Sequence, residues 1–322
     1  MVDMPTAACG AASTAVQGAL TGGLTLRQLR YFEALVEQRH FGRAARACAI
    51  SQPALSTRIR ELEAVLGAPL FERSARSVRL TPFGETLAGR VRDILRAVDE
   101  LGDLARATHE RLTGPLRLGL IPTVAPYLLP GLVAELAGGY PDLEPHFRET
   151  TTPGLVAELL DGRLDAAVVA LPVGEPALVE TAVFTEEFML VRPAGGAADE
   201  GAKALPGRDV LEGERLLLLE EGHCFRDQAL AYCRTPTAAS RMGLDASSLS
   251  TLVRLVEAGH GMTLIPEMAV ATEARTARVS LSRLAPPAPF RTIGLVWRRT
   301  SPLSDLLAAL AETVRRAAGS DG

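Results

Sequence analysis

The chain has 322 residues, too many for one ordinary hydrophobic core, so two or three domains are expected. Hydrophobic residues make up 47% and charged residues 22%, a soluble globular balance, and no apolar run approaches the ~18 residues of a membrane span. The net charge of −4 hides a split: residues 24–96 carry 13 Arg against 7 acids and residues 97–322 carry 21 basic against 30 acidic groups, the pattern of a polyanion-binding module joined to an acidic body.

Residues 1–23 contain one acid, Asp3, and no Lys or Arg. A secretion signal needs a basic start and a long apolar stretch, so this Ala/Gly/Ser/Thr-rich segment is expected to be a disordered tail. Four cysteines and no export signal predict a cytoplasmic protein, where a Cys is buried, metal-binding or redox-active rather than part of a disulfide scaffold. Cys9 falls in the tail.

Residues 26–39 place Leu26, Leu29, Phe32, Leu35 and Val36 at helical spacing. A short helix fits Gly42–Cys48, with Cys48 as a small core residue. Ser51 or Gln52 can cap the next helix, and Pro53 suits its first turn. Leu55, Ile59, Leu62 and Leu66 then form one stripe, with Pro53, Thr57 and Arg60 opposite and Ser56 beside them. Gly67 ends the helix. Phe71–Leu80 reads as a two-stranded wing carrying three Arg. The arrangement predicts a helix-turn-helix that binds DNA; the alternative is a three-helix domain with solvated Arg. From Phe83 to Leu112 one long helix is expected. Leu87, Val91, Ile94, Val98, Leu101, Ala105, Thr108 and Leu112 mark either a dimer seam or a face packed on its own domain.

Beyond Gly114 the chain alternates strand-like segments (116–121, 143–148, 165–171, 188–192, 215–221 and 292–299) with helical ones, predicting an α/β fold with mainly parallel strands. Its length calls for two lobes: residues 114–184 with 290–322, and about 185–289. RLLLLEEGHCFRDQALAYC holds the most chemistry. Cys224 falls after a strand and at the start of a predicted helix over Phe225–Tyr232, where N–H groups and the helix dipole favour a thiolate. His223 and Arg226 add positive or hydrogen-bonding groups, and Asp227 sits where a capping-box acid would tie back to the first turn. A thiolate attacks peroxides; against that stands the ordinary buried Cys. The spacing to Cys233 does not suit zinc.

The stretch FGRAARACAISQPALSTRIRELEAVLGAPLFERSARSVRLTPFGE resembles the winged helix-turn-helix of LysR-type transcriptional regulators. GHCFRDQALAYC, GPLRLGLIPTVAPYLLP, EAGHGMTLIP and RTIGLVWRRTSPL are similar to segments of the family's hydrogen-peroxide sensors, and the similarity runs from about Leu24 to Ala318. The resemblance implies a DNA-binding domain over 24–82, a linker and dimerisation helix over 83–112, and a two-lobed, periplasmic-binding-protein-like regulatory domain over 113–322. It places Ser51, Gln52, Pro53, Ser56, Thr57 and Arg58 on DNA, with Arg73 and Arg76 near phosphates. It makes Cys224 the peroxidatic and Cys233 the resolving residue of a redox-active disulfide. It adds Thr123, Thr152, His223, Asp227 and Arg291 to the peroxide site, with Arg291 favouring the thiolate. Promoter DNA, hydrogen peroxide and RNA polymerase are the implied partners of a homodimer or homotetramer that is no enzyme and needs no cofactor or metal. Two departures stand out: Arg58 replaces the Gln of many members, and residues 234–248 lack the acidic, aromatic stretch expected there. The rival readings are a metabolite-binding member with incidental cysteines, and a thiol peroxidase joined to a DNA-tethering module.

Overall fold

The computed structural model describes residues 23–72, 78–108, 112–195, 205–207, 215–233 and 245–319. The tail over 1–22, wing residues Arg73 and Arg76, and the departing residues 234–244 lie outside these. The chain divides after Gly102 into two units.

In the first unit, helix α1 (Leu26–Gln38) opens on a capping box: the Gln28 amide donates to the Thr25 hydroxyl, and the Gln28 side chain accepts from the Thr25 amide. Helix α2 (Phe41–Ala47) is capped by the His40 imidazole, which accepts from the Gly42 and Arg43 amides. Helix α3 (Gln52–Leu66) is capped by Ser51, carries Pro53 in its first turn, and ends at Gly67 with φ 71°, a conformation glycine adopts without strain. The predicted stripe is the core: Leu55, Ile59 and Leu62 are buried with Leu29, Phe32 and Leu35. Cys48 departs from expectation. It is the half-buried cap of α2, outside the core.

The wing begins as read. Phe71 and Leu80 form an antiparallel bridge, and the Glu72 amide donates to the Arg79 carbonyl. Helix α4 (Pro82–Ala107) follows. At Gly84 a Cβ would lie 2.3 Å from the Leu70 carbonyl oxygen, so only glycine lets α4 approach the wing base this closely. Two expectations change here. The helix stops at Ala107, and Leu112 is buried in the core of the second unit. Val91, open between a seam and its own domain and placed at a seam by the family resemblance, is buried with Ala88 and Leu95 in the core of its own unit, because the stripe at steps of four and three is wide enough to pack inward. Ile94 and Leu101, seven residues apart, remain exposed.

The second unit is built on β1 (Gly114–Leu120), α5 (Ala125–Gly139), β2 (Leu143–Glu149), α6 (Thr152–Leu160), β3 (Ala166–Leu171) and β4 (Leu178–Pro193). Helices α7 (Cys224–Cys233) and α8 (Leu249–Glu257), β5 (Thr263–Pro266), α9 (Val270–Glu273), β6 (Val279–Ser282), β7 (Phe290–Arg298) and α10 (Ser304–Ala317) complete it. The strands form one sheet in the order β2-β1-β3-β7-β4-β5, with β6 also paired to β4. Among the described strands only β1 pairs in parallel, with β2 and β3; β7, β5 and β6 all join antiparallel, so the sheet is mixed and not mainly parallel. The cause is connectivity, since the chain leaves the first lobe along β4 and returns along β7 beside it. Residues 215–221 make no strand either. Leu216 and Leu219 form isolated bridges while all four leucines are buried.

Two separate cores confirm two lobes. One draws on Leu112–Val183 and Ile293–Val314, the other on Phe188–Leu284. The change of core falls between Phe184 and Phe188 on β4, where the lobe boundary was expected.

Candidate functional site

Cys224 is the first residue of α7 and Cys233 the last. Cys224 is a free thiol that packs against the first lobe's core, while its neighbour Phe225 is buried in the second lobe's core. The start of α7 is therefore the junction of the lobes. A pocket of about 340 Å³ opens there. Thr152 and Pro153 from the start of α6, Val173 and Gly174 from the loop after β3, and Cys224 and Asp227 from α7 all line it.

Thr152 carries the informative atom. Its Oγ1 is buried and has no hydrogen-bond partner among the described residues. A buried hydroxyl costs free energy unless something bonds to it, so this oxygen can donate to and accept from a small polar molecule beside the thiol. Asp227 presents an acceptor to the same space. Among the described residues no hydrogen bond ties Asp227 back to the first turn as a capping box would, and this exposed residue lines the pocket. His223 is buried one residue before the thiol. Burial pushes its imidazole below the ordinary histidine value, against the opposing pull of Glu220, so it is neutral near pH 7 and offers hydrogen bonding rather than charge.

His223 is not part of the lining, and three further expected members stand elsewhere. Thr123 is buried behind β1, outside the pocket lining, and its hydroxyl accepts from the Arg291 guanidinium at 2.8 Å. Arg291, only 1% exposed, is likewise outside the lining. Its Nε donates to Glu186 at 2.9 Å, its second terminal nitrogen donates to the Thr123 carbonyl at 3.0 Å, and its guanidinium lies 5.5 Å from the centre of the Phe225 ring. Arg226 turns away from the pocket to bond the Leu219 carbonyl and Asp245, pinning the segment before α7. The structure thus brings Thr152, Cys224 and Asp227 together, and joins Thr123 to Arg291 in a second cluster that touches α7 through Phe225.

Glu186 was not foreseen. It faces Arg291 across the β4–β7 ladder, and its other oxygen accepts from the Met268 amide. Its signal in the sequence is one of the two acids in TEEF, which shows neither burial nor a partner 105 residues away. The tie from Tyr127 to Glu273 was also missed: the Tyr127 hydroxyl donates at 2.8 Å, and burial with that carboxylate pushes its pKa far up, so it stays protonated.

On α3, Ser51, Gln52, Pro53, Thr57 and Arg58 are exposed and Ser56 is half-buried. Arg58 pairs with Glu61 at 2.8 Å on the surface, and Thr57 donates to the Pro53 carbonyl. Both bonds are local and solvent-facing, and both side chains can exchange them for a ligand.

Residues 26–85 match the bacterial regulatory helix-turn-helix protein, lysR family, and residues 109–319 match the LysR substrate binding domain. A probable hydrogen peroxide-inducible genes activator of Streptomyces viridosporus is 44% identical over 90% of this chain and 95% of its own. The DNA-binding transcriptional dual regulator OxyR of Escherichia coli K12 is 42% identical over 91% of this chain and 95% of its own. A solved structure of a hydrogen-peroxide-bound OxyR mutant from Corynebacterium glutamicum is 38% identical, with a TM-score of 0.64 over 91% of this chain and 92% of its own. With both domains matched and this identity over nine-tenths of its length, the chain belongs to the LysR family of bacterial regulators, among its OxyR-type members.

Proposed function

We propose that this chain is a peroxide-responsive transcriptional regulator of the cytoplasm, in which Cys224 is oxidised and then forms a disulfide with Cys233. The observation that carries the reading is the pocket lined by both Cys224 and Thr152, whose buried hydroxyl has no hydrogen-bond partner among the described residues. The thiolate attacks one oxygen of hydrogen peroxide, the O–O bond breaks, and hydroxide leaves and takes up a proton to become water. The Cys233 thiolate then attacks the sulfenic sulfur, the S–O bond breaks, and the hydroxide released takes up a proton to become a second water as the disulfide closes. Thr152 and Asp227 hold the peroxide and its proton. The test is thiol mapping by mass spectrometry before and after one equivalent of hydrogen peroxide. A Cys224–Cys233 bond within one chain is expected, and both thiols free after treatment would overturn the reading and leave the metabolite-binding alternative. A thiol peroxidase would consume many equivalents with a reductant, whereas a sensor reacts once per chain. In the same assay Thr152→Val, which keeps the shape and removes the hydroxyl, is expected to slow Cys224 oxidation by roughly 10²-fold, the scale of one lost stabilising or proton-relaying contact.

The regulator acts on promoter DNA together with RNA polymerase, with α3 in the major groove and Arg73 and Arg76 near phosphates. Arg58→Ala is expected to weaken specific binding by about 1–3 kcal/mol while random DNA is little affected, measured by titration at fixed salt. Equal losses on both DNAs would reduce Arg58 to a phosphate contact. The chain works as a homodimer or homotetramer joined along α4. The exposed Ile94 and Leu101 support this seam. Ile94→Asp with Leu101→Asp is expected to give monomers in sedimentation, and an unchanged oligomer would place the seam elsewhere.

A further inference from the structure

We infer that Arg106 clamps the last turn of α4 to β1, and that this clamp carries the redox state of α7 into α4. The clamp has this role only if α7 switches, so it rests on the peroxide reading. Arg106 lies in the last turn of α4, on the stretch that belongs to the second unit. One of its terminal nitrogens donates to the Thr113 carbonyl at 3.2 Å and also to the Pro115 carbonyl. The other donates to Asp103, three residues back on the same helix. Both side chains are well covered, with 16% of Arg106 and 8% of Asp103 exposed. Ala107 and Leu112 pack on the core of the first lobe. Those apolar contacts hold the helix end down but leave its direction loose, because hydrophobic burial is non-directional. A planar guanidinium bonded to two carbonyls and a carboxylate fixes direction as well.

The other end of β1 gives the clamp something to carry. The strand runs from Gly114 to Leu120, ~20 Å, and Leu116, Leu118 and Leu120 are fully buried. It pairs with β2 on one edge and β3 on the other, so it moves with the first lobe as a stiff piece. Three residues past its end, Thr123 accepts from Arg291 through both its hydroxyl and its carbonyl. The Arg291 guanidinium in turn lies 5.5 Å from the centre of the Phe225 ring on α7. The helix that must unwind before Cys224 can reach Cys233 therefore stands at one end of β1, and Arg106 stands at the other. Unwinding takes Phe225 from its place beside Arg291. The shift reaches Thr123, β1 cannot absorb it by bending, and the Thr113 and Pro115 carbonyls pass it to Arg106. Asp103 ties Arg106 to the helix, so the end of α4 turns with the first lobe. Contiguous packed and hydrogen-bonded groups of this kind couple distant sites, and cutting one link shows whether they do.

In the test, full-length wild type and a double Asp103→Asn, Arg106→Met variant each receive one equivalent of hydrogen peroxide. The double variant removes both charges, so neither is left buried alone. Thiol mapping follows the disulfide, and footprinting on a promoter fragment that the wild type protects follows the DNA before and after oxidation. The variant is expected to form the Cys224–Cys233 bond as fully as wild type and to keep the reduced footprint. The oxidised footprint should appear about tenfold less, the scale of a lost coupling between two sites. A full change of footprint in the variant would overturn the inference and leave the peroxide reading intact. Loss of the reduced footprint would also overturn it, by making the pair a structural brace. A wild type that closes the disulfide without changing its footprint has no signal for the clamp to carry, and overturns the inference too. A wild type that closes no disulfide overturns the peroxide reading and the inference together. Should the double variant fail to fold, Arg106→Lys takes its place. Its ammonium can still pair with Asp103 but lacks the fork that reaches both carbonyls. A several-fold loss of the footprint change is expected there, and an unchanged response would overturn the inference.

Discussion

The Cys233→Ser variant is expected to stop the switch half-way: peroxide still converts Cys224 to a sulfenic acid, but no disulfide forms and the DNA footprint stays that of the reduced protein. The geometry of α7 explains the size of the effect. The two cysteines are its first and last residues, and nine steps of about 1.5 Å place their Cα atoms ~13 Å apart along the axis. A disulfide needs Cα atoms within about 7 Å, so closing the bond requires the helix to unwind. Unwinding is costly here because Phe225 is buried in the second lobe, and Leu230 and Tyr232 pack against the same core. The disulfide must hold that disrupted state open, and Ser cannot. Cys224→Ser is expected to abolish the response altogether. A thiol-specific sulfenic acid probe with footprinting before and after peroxide separates the two variants. A double Cys224→Ser, Cys233→Ser chain that still changes footprint would sink the mechanism.

The second large effect is expected at Glu186. Its carboxylate is the only acid bonded to the Arg291 guanidinium among the described residues, and both side chains are almost wholly buried. Glu186→Gln keeps the shape but leaves a cation in a low-dielectric site without its counter-charge. Removing one member of a buried pair costs about 3–5 kcal/mol. Asp161→Asn, at a half-exposed pair with Arg163, should cost about 1 kcal/mol or less. Urea unfolding of the full-length protein, followed at Trp297 in the second unit, compares the two. Similar losses for both would mean that water reaches Arg291. Because Arg291 also meets the Phe225 ring, Glu186→Gln is further expected to loosen the start of α7, read as faster hydrogen exchange over Cys224–Gln228.

What could be read from the sequence follows the range over which each signal acts. The helices of the first unit were legible because caps and stripes are local: Ser51 and Gly67 bound α3, and Leu55, Ile59 and Leu62 fill the core. The lobe boundary was legible because alternation of elements and chain length demand two cores. Strand direction was not, since pairing of β3 and β4 with β7 joins residues more than a hundred positions apart. The first half of β4 escaped notice because LVETAVFTEE mixes acids into its alternation, and one of those acids, Glu186, turns out to be buried against Arg291. Around the thiol, local context identified Cys224 and Asp227, and the family resemblance added Thr152. Neither shows that Thr123 and Arg291 stand apart from the pocket, or that Arg226 turns to Asp245, because these depend on how the two lobes pack. Whether Val91 faces a seam or its own domain stayed open for a related reason: a helix stripe states which residues are apolar, not which neighbour covers them.

The manner in which the two lobes are joined limits how the molecule can move. Both passages between them, β4 and β7, lie side by side and are paired from Leu178 with Arg298 to Glu187 with Phe290. Flexible clamps use separate connecting segments that bend independently; here the connectors act as a laminated spring. Opening the lobes like jaws would shear a ladder of backbone hydrogen bonds and pull Glu186 from Arg291 at its end. Torsion along the ribbon disturbs far less, because a paired strand ribbon already twists. A signal that begins when α7 unwinds therefore has a soft direction and a stiff one. It should leave the second unit as a small rotation of one lobe against the other, with the ladder intact.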